Sequence, residues 1–405
     1  MKVVFLSPHF PAEMPAFVRG LAEVGAQVWG LGSTPAHAMP QEVKQHLTGY
    51  IEVPELLDEA STMRHALPEL RRLQPDRVEC LWEVGVVLAA RLREALGIPG
   101  MSVETVNAFR DKALMKDRLA KAGLRVPRNA RVRTATEARE AADVIGFPLI
   151  LKPIDGAGTR DTFLVQDAAE LDAALARTTH LPEASIEEFI DGDEFTYDTV
   201  SIDGKPAFDS VAAYYPKPLY GRTNEWISPA QIVLRDPHAA GIDDAVQFGR
   251  DVLQAMGMQT GFTHMEWYRK SSGEIVFGEI AARAPGGRLV EQMNLANDFD
   301  IYREWARAVC WHTFEATAHR RYHVAAVFKR AIGQGRIRAV EGLQEARRKL
   351  GASLVIEDLL PIGATRRDWH QTLLSDGTLM VRHPDFATCK AMMDVLVNDV
   401  RLYAG

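Results

Sequence analysis

The sequence predicts an α/β protein in three regions, and three observations predict it. The first hundred residues alternate short apolar runs with amphipathic stretches, as in "KVVFLS", "PAFVRGLAEVGA" and "QVWGLGS". That β–loop–α–β rhythm belongs to a parallel sheet with helical crossovers. Near residue 105 a second block opens, in which helices alternate with strand–turn–strand pairs, and from about 315 the pattern changes to short strands and a closing helix. The expected division is an N-terminal α/β domain at 1–105, a central domain at 106–312 and a C-terminal α+β region at 313–405.

Each element follows from local pattern. "STMRHALPELRRLQ" and "VVLAARLREALG" read as helices and "RVECLWE" as a strand. No GxGxxG follows the first strand, so a dinucleotide site of the Rossmann kind is not supported. In "VNAFRDKALMKDRLAKAGLRVP", Asn107 is a candidate helix cap, Met115, Leu119 and Ala122 form one stripe, and Gly123 is a stop. "FPLILKP" is a strand, "IDGAGTRD" a glycine-bearing turn and "TFLVQ" the returning strand. "ASIEEFIDGDEFTYDTVSIDG" reads as strand, hinge and strand, and "HAAGIDDAVQFGRDVLQAMG" as a long helix.

Composition excludes several classes. The 405 residues are 47% apolar and 25% charged with a net charge of −7, so no basic excess points to nucleic acid or an anionic membrane. The three cysteines are far apart and form no CxxC pair, which removes a zinc motif and a disulfide framework and suits a cytoplasmic protein. The N-terminal run is broken by Pro8 and His9, as in a first strand rather than a signal peptide. No window approaches the roughly 20 apolar residues that cross a bilayer.

The informative stretch is "HMEWYRKSSGEIVFGEIAARAPGG", residues 264–287. Two strand-like runs flank a turn, and each carries one acid, Glu266 and Glu279. With period two, His264, Glu266 and Tyr268 share a face, as do Phe277, Glu279 and Ala281. A two-residue loop at Ser272-Gly273 sets Glu266 opposite Glu279 and His264 opposite Ala281. Opposed like charges destabilise a sheet, so a cation belongs between them unless the face is merely solvated. Magnesium suits one or two carboxylates with phosphate oxygens.

Three further features precede this hairpin. Lys112 lies on the helix entering the central region. Lys152 ends a strand just before the loop 155–161, "DGAGTRD", whose Gly156 and Gly158 let backbone N–H groups approach a phosphate. "EEFIDGDE" at 187–194 is an acidic hinge between strands. A strand-end lysine, a Gly-x-Gly turn or an acidic loop alone is ordinary; all four in this order suit one ligand, Mg-ATP.

The central region resembles the ATP-grasp fold of the carboxylate–amine ligases, through "RDKALMKDRLAKAGLRVP", "FPLILKPIDGAGTRDTFLV", "EEFIDGDEFTYDTVS" and "GFTHMEWYRKSSGEIVFGEIAARAPGG". It is most similar to the branch of the L-amino-acid ligases. The resemblance implies an α+β ATP-grasp domain in two parts behind a pre-ATP-grasp domain, with ATP and Mg2+ (or Mn2+) as cofactors. Lys112 and Lys152 correspond to the phosphate-binding lysines, and Glu187 to an acceptor for the adenine amino group. Glu188, Phe189 and Ile190 correspond to the hinge along adenine, Glu194 to the ribose acid, and Glu266 and Glu279 to the metal ligands. Where the family often places a metal-binding asparagine, Ala281 stands.

The implied chemistry is attack of a carboxylate on the γ-phosphate of ATP, then attack of an amine on the acyl phosphate. His264 and Arg283 are the candidates to steady the acyl oxygens, with Arg288 as a further one. Glu83 is placed to read a substrate amino group, or is a solvated strand-end acid. Small-molecule carboxylate and amine partners are implied, with no nucleic acid and no membrane, and the resemblance suggests a homodimer. Two rivals remain: an ATP-grasp enzyme with another acceptor, as in biotin carboxylase or purine synthesis, and a nucleotide-binding protein without catalysis. The aromatic segment 212–231 is either a pocket wall or a covering loop.

Overall fold

The computed structural model describes residues 1–154, 161–239, 241–369, 372 and 375–405. The N-terminal sheet comprises β1 (Lys2–Leu6), β2 (Gln27–Gly32), β3 (Gly49–Glu52) and β4 (Arg77–Glu79), all parallel, in the order β3-β2-β1-β4. Strand β1 is buried on both faces because both are covered. Val4 and Leu6 pack with Ala66, Leu70 and Leu88 from helices Glu59–Leu73 and Val86–Leu96. Val3 and Phe5 face the other way, toward Phe17 of helix Met14–Glu23 and Trp305 of helix Ile301–Trp311. Trp305 meets Phe17 edge-on at 5.1 Å, so the N-terminal sheet shares its core with the central region.

The second sheet holds β5 (Asn129–Val132), β6 (Leu149–Pro153), β7 (Phe163–Val165) and β8 (Ala184–Glu188), antiparallel in the order β5-β8-β6-β7. Helices Ala135–Ile145 and Ala168–Arg177 cover one side of it, capped by Thr134 and Asp167. The helix expected to start from Asn107 begins later. Val103–Ala108 is a short helix of its own, and Asp111 caps Lys112–Lys121 by accepting from the N–H groups of Ala113 and Leu114.

The third sheet is antiparallel and organises the site. Its strands come from β9 (Gly192–Ile202), β10 (Lys205–Tyr215), β11 (Ala230–Val233), β12 (Gly261–Lys270), β13 (Ile275–Ala281) and β14 (His323–Phe328). Beyond β15 (Ile337–Glu341) the chain adds β16 (Leu354–Leu359) and β17 (Gly377–His383), then ends in β18 (Arg401–Ala404). The order is β13-β12-β9-β10-β11-β14-β17-β16, while β15 and β18 form a separate pair. Strands from 313–405 therefore extend the sheet of the central region. Helix Phe386–Asn398 packs on that extension, and helices Lys112–Lys121 and Asp243–Met256 cover the apolar face at Tyr197, Met265, Trp267 and Phe277.

Candidate active site

The polar face of the third sheet is built by alternation. Along β12, Met265 and Trp267 go to the core, so His264, Glu266 and Tyr268 emerge opposite. Pairing with β9 sets His264 beside Asp198, Glu266 beside Thr196 and Tyr268 beside Glu194. Tyr214 of β10 reaches the same face, its hydroxyl 3.4 Å from Glu266 Oε1.

The hairpin pairs Glu266 with Glu279 and His264 with Ala281, as the sequence predicts, but by another route. The loop has three residues: Lys270 donates to Glu274 across Ser271, Ser272 and Gly273, and Gly273 adopts φ +88°. A bulge then restores the register between Glu266 and Trp267. Gly278 sits in it, where a Cβ would lie 2.8 Å from the Glu266 carbonyl oxygen. The bulge also corrects the expected facing of Phe277, which pairs with Trp267 and lies in the core rather than beside Glu279.

Around Glu266 and Glu279 the charges interlock. Lys112, buried at the start of its helix, reaches Glu279 Oε1 at 3.1 Å. Lys152 at the end of β6 pairs with Glu187 Oε2 at 2.9 Å. Lys116, which sequence reasoning missed, sits one helical turn after Lys112 and meets Glu187 Oε1 at 2.5 Å. Its signal was the i, i+4 spacing, which puts both lysines on one helix face. Ser185 also donates to Glu187 Oε1, at 2.9 Å. The Glu187 carboxylate, expected to accept from an adenine, is engaged here by two ammonium groups and a hydroxyl and holds Lys116 and Lys152 in place.

Burial would raise the Glu187 carboxyl, but the Lys116 and Lys152 charges hold it far below the usual range. Burial takes the Lys116 ammonium down to about 8, and Glu187 offsets only part of that. For Lys152 burial also lowers, and the Glu187, Glu279 and Glu266 charges outweigh it.

His264 has a fixed orientation. Its Nδ1 lies 2.6 Å from Oδ1 of the fully buried Asp198, and its Nε2 lies 3.8 Å from Glu266 Oε1. Thr196 donates to Asp198 Oδ2 at 2.6 Å, completing the support. Burial disfavours the imidazolium, yet the Asp198 carboxylate carries it up to about 9. Asp198 was also missed; its signal was the period of two from Glu194, which only the pairing with β12 made meaningful. Glu194 is buried, and burial together with the Glu266 charge pushes its carboxyl well up.

Arg283 follows the hairpin and crosses to the N-terminal domain, where its Nε donates to Glu83, as does the Arg110 guanidinium. Burial would raise the Glu83 carboxyl, but the two arginines lower it to about 2. Glu83 is thus not a solvated strand-end acid; its carboxylate holds both Arg283 and Arg110. Arg288 directly precedes helix Leu289–Asn297 and turns to Glu291 and Asp358, at 2.6 and 2.8 Å. Glu188 is held by Arg125 at 2.9 Å, the Phe189 N–H lies 3.4 Å from the Pro148 carbonyl, and Ile190 is buried. Gly156 and Gly158 lie outside the described residues.

Among the described residues no three His, Cys, Asp or Glu side chains form a metal cage. The Glu266–Glu279 pair still fits a hard cation, because magnesium takes one or two carboxylates and completes its shell with water and phosphate oxygens. Both side chains stay about one-third exposed, at 32% and 34%, so such ligands can reach them. No helix of the described residues is long and apolar enough to cross a membrane.

Residues 145–292 match the ATP-grasp domain. The chain is 27% identical, over 61% of its length, to an L-arginine-specific L-amino acid ligase of Bacillus subtilis. It is 26% identical, over 56%, to the alanine–anticapsin ligase of Bacillus subtilis strain 168. These matches span 62% and 52% of the relatives' own lengths. An L-amino acid ligase structure from Bacillus licheniformis superposes with a TM-score of 0.79 at 19% identity, covering 100% of this chain and 99% of that one. Residues 145–292 thus match an ATP-grasp domain, and the fold of the whole chain is similar to that of an L-amino acid ligase.

Proposed function

We propose that this protein is an ATP-dependent carboxylate–amine ligase acting on amino-acid or peptide-like small molecules, with magnesium as its ion and manganese as a substitute. The observation that carries the reading is the single polar face on which Glu266, Glu279 and His264 meet Lys112, beside the Lys116–Glu187–Lys152 cluster. The named ligases among its relatives support the same reading.

Lys112, Lys116 and Lys152 supply positive charge for the phosphates of ATP, in a buried setting where charge acts strongly. Backbone groups of Glu188, Phe189 and Ile190 line the adenine, and Glu194 takes the ribose hydroxyls. Glu266 and Glu279 would hold the divalent ion, which would supply positive charge for the transferring phosphoryl group. A substrate carboxylate oxygen attacks the γ-phosphorus; the bond to the bridging oxygen breaks, leaving ADP and an acyl phosphate. An amine then attacks the acyl carbon and phosphate leaves with its bonding pair. Arg283, anchored by Glu83, turns its remaining N–H groups to the acyl oxygens, and the Nε2–H of His264 serves the same developing charge. The amine proton departs with phosphate or solvent. The buried, unpaired cysteines suit a reducing cytoplasm.

The test is ADP and phosphate release from Mg-ATP across amino acids offered singly and in pairs, with products weighed by mass spectrometry. A pair-dependent signal and a product lighter than its parts by one water are expected. Formation of AMP in place of ADP would overturn the acyl-phosphate route.

A further inference from the structure

We propose that the crevice at the carboxyl ends of β1 and β4 is the side-chain subsite for the activated acid, and that this acid is an amino acid with a large apolar or aromatic side chain. The inference rests on the ligase reading for the fate of that acid.

The topology makes the crevice. From β1 the chain steps outward through β2 and β3, then returns to place β4 on the other side of β1. The loops leaving β1 and β4 therefore diverge, and in an open parallel sheet ligands lie in the crevice where the strand order reverses.

Large apolar side chains are exposed there. Phe10, on the loop after β1, is 52% exposed, and Val84, after β4, is 44% exposed. Phe10 meets Trp82 edge-on with centroids 5.2 Å apart, so the two loops form one apolar wall. The wall is held in shape from behind. Ser7 donates its hydroxyl to the Phe10 carbonyl at 2.6 Å, and its own N–H binds the Leu31 carbonyl at 2.8 Å. A preorganised apolar surface left in water gains most from an apolar ligand and least from a charged one.

Its place identifies what binds. Glu83, between Trp82 and Val84, is the residue that holds Arg283. On the opposite loop, Glu13 lies within the electrostatic reach of both Arg283 and Arg288. On this proposal a carboxylate held by Arg283 lays its own side chain against the Phe10–Trp82 wall, because Trp82 directly precedes Glu83 and Glu83 holds Arg283.

The test is calorimetric titration of the intact chain with L-phenylalanine and with L-alanine, in the wild type and in Phe10→Ala, Val84→Asp and Phe10→Leu. Phenylalanine should bind at least about tenfold tighter than alanine, the scale on which apolar pockets discriminate. Phe10→Ala and Val84→Asp should each erase that preference, and Phe10→Leu should keep most of it. Thermal melting within a few degrees of wild type identifies the folded variants, and Val84→Asp alters a position already in water. Equal binding of the two amino acids, absence of phenylalanine binding, or a preference that survives both disruptive variants would overturn the subsite. ADP formation with a polar amino acid alongside absent phenylalanine binding would sink the subsite and leave the ligase reading intact. Phenylalanine binding with no ADP formed with any amine would do the reverse.

Discussion

Glu187 on β8 and Glu279 on β13 are the same residue type on strands of two different sheets, and they live under opposite conditions. The Glu187 side chain is 5% exposed and is enclosed by Lys116, Lys152 and Ser185. Glu279 is 34% exposed, faces another acid in register and touches Lys112 at its edge. A closed carboxylate of the first kind is a structural charge whose removal strands its partners. The second kind is an open charge that a ligand can reach. The difference separates acids closed off by their partners from acids left accessible.

The largest effect expected from this contrast is on stability at the closed position. Glu187→Gln should cost about 3–5 kcal/mol, because two lysines then share a buried space without their counter-ion. Urea denaturation reads it, and a loss under about 1 kcal/mol would break the comparison. A similar closed acid, Glu83, sharpens it through pH. Its carboxyl titrates near 2 in the folded chain against an ordinary 4.5. Its contribution is complete above pH 4.5 and is lost as pH falls through 2. At about 1.4 kcal/mol per unit this amounts to roughly 3 kcal/mol, and Glu83→Gln should flatten that part of the acid-denaturation curve.

The open position should behave in reverse. Glu279→Gln should lower ADP formation roughly 100-fold or more, the scale of losing a transition-state charge contact. Its stability should move by less than about 1 kcal/mol, because Glu279 is itself one-third exposed and its loss also removes the repulsion from Glu266 opposite. Weakened Mn2+ binding, followed by electron paramagnetic resonance, checks the same variant without turnover. The smallest effect belongs to the hairpin that aligns the two acids. Gly273→Ala meets no atom within 4 Å but must adopt φ +88°, so a loss of about 1 kcal/mol is expected in thermal melting.

Much of this site was readable before any coordinates. Period two in β12 and β13 was enough to oppose Glu266 and Glu279, because a strand that buries Met265 and Trp267 must turn its alternate residues outward. The register came out right although the loop is one residue longer than expected, since the bulge at Gly278 compensates. Bulges leave little trace in composition, and the facing of Phe277 was misread for that reason. Lys116 carried a local signal in its spacing from Lys112. The spacing of Asp198 from Glu194 and the place of Tyr214 say less, because an acid and a phenol on a strand acquire meaning only when a neighbouring strand shows what they face.

Sequence alone determined the class of fold, the parallel rhythm of the first domain, the ATP-grasp resemblance and the pairing of the two open acids. These depend on periodicities and short-range turns, which act within a few residues. The tertiary structure decided that Glu187 serves lysines, that Glu83 holds Arg283 from 200 residues away, and that strands after residue 313 complete the central sheet. Each of those depends on which groups meet after the chain has closed on itself. Charge pairing and burial act through space, so neither is encoded at any one position along the chain.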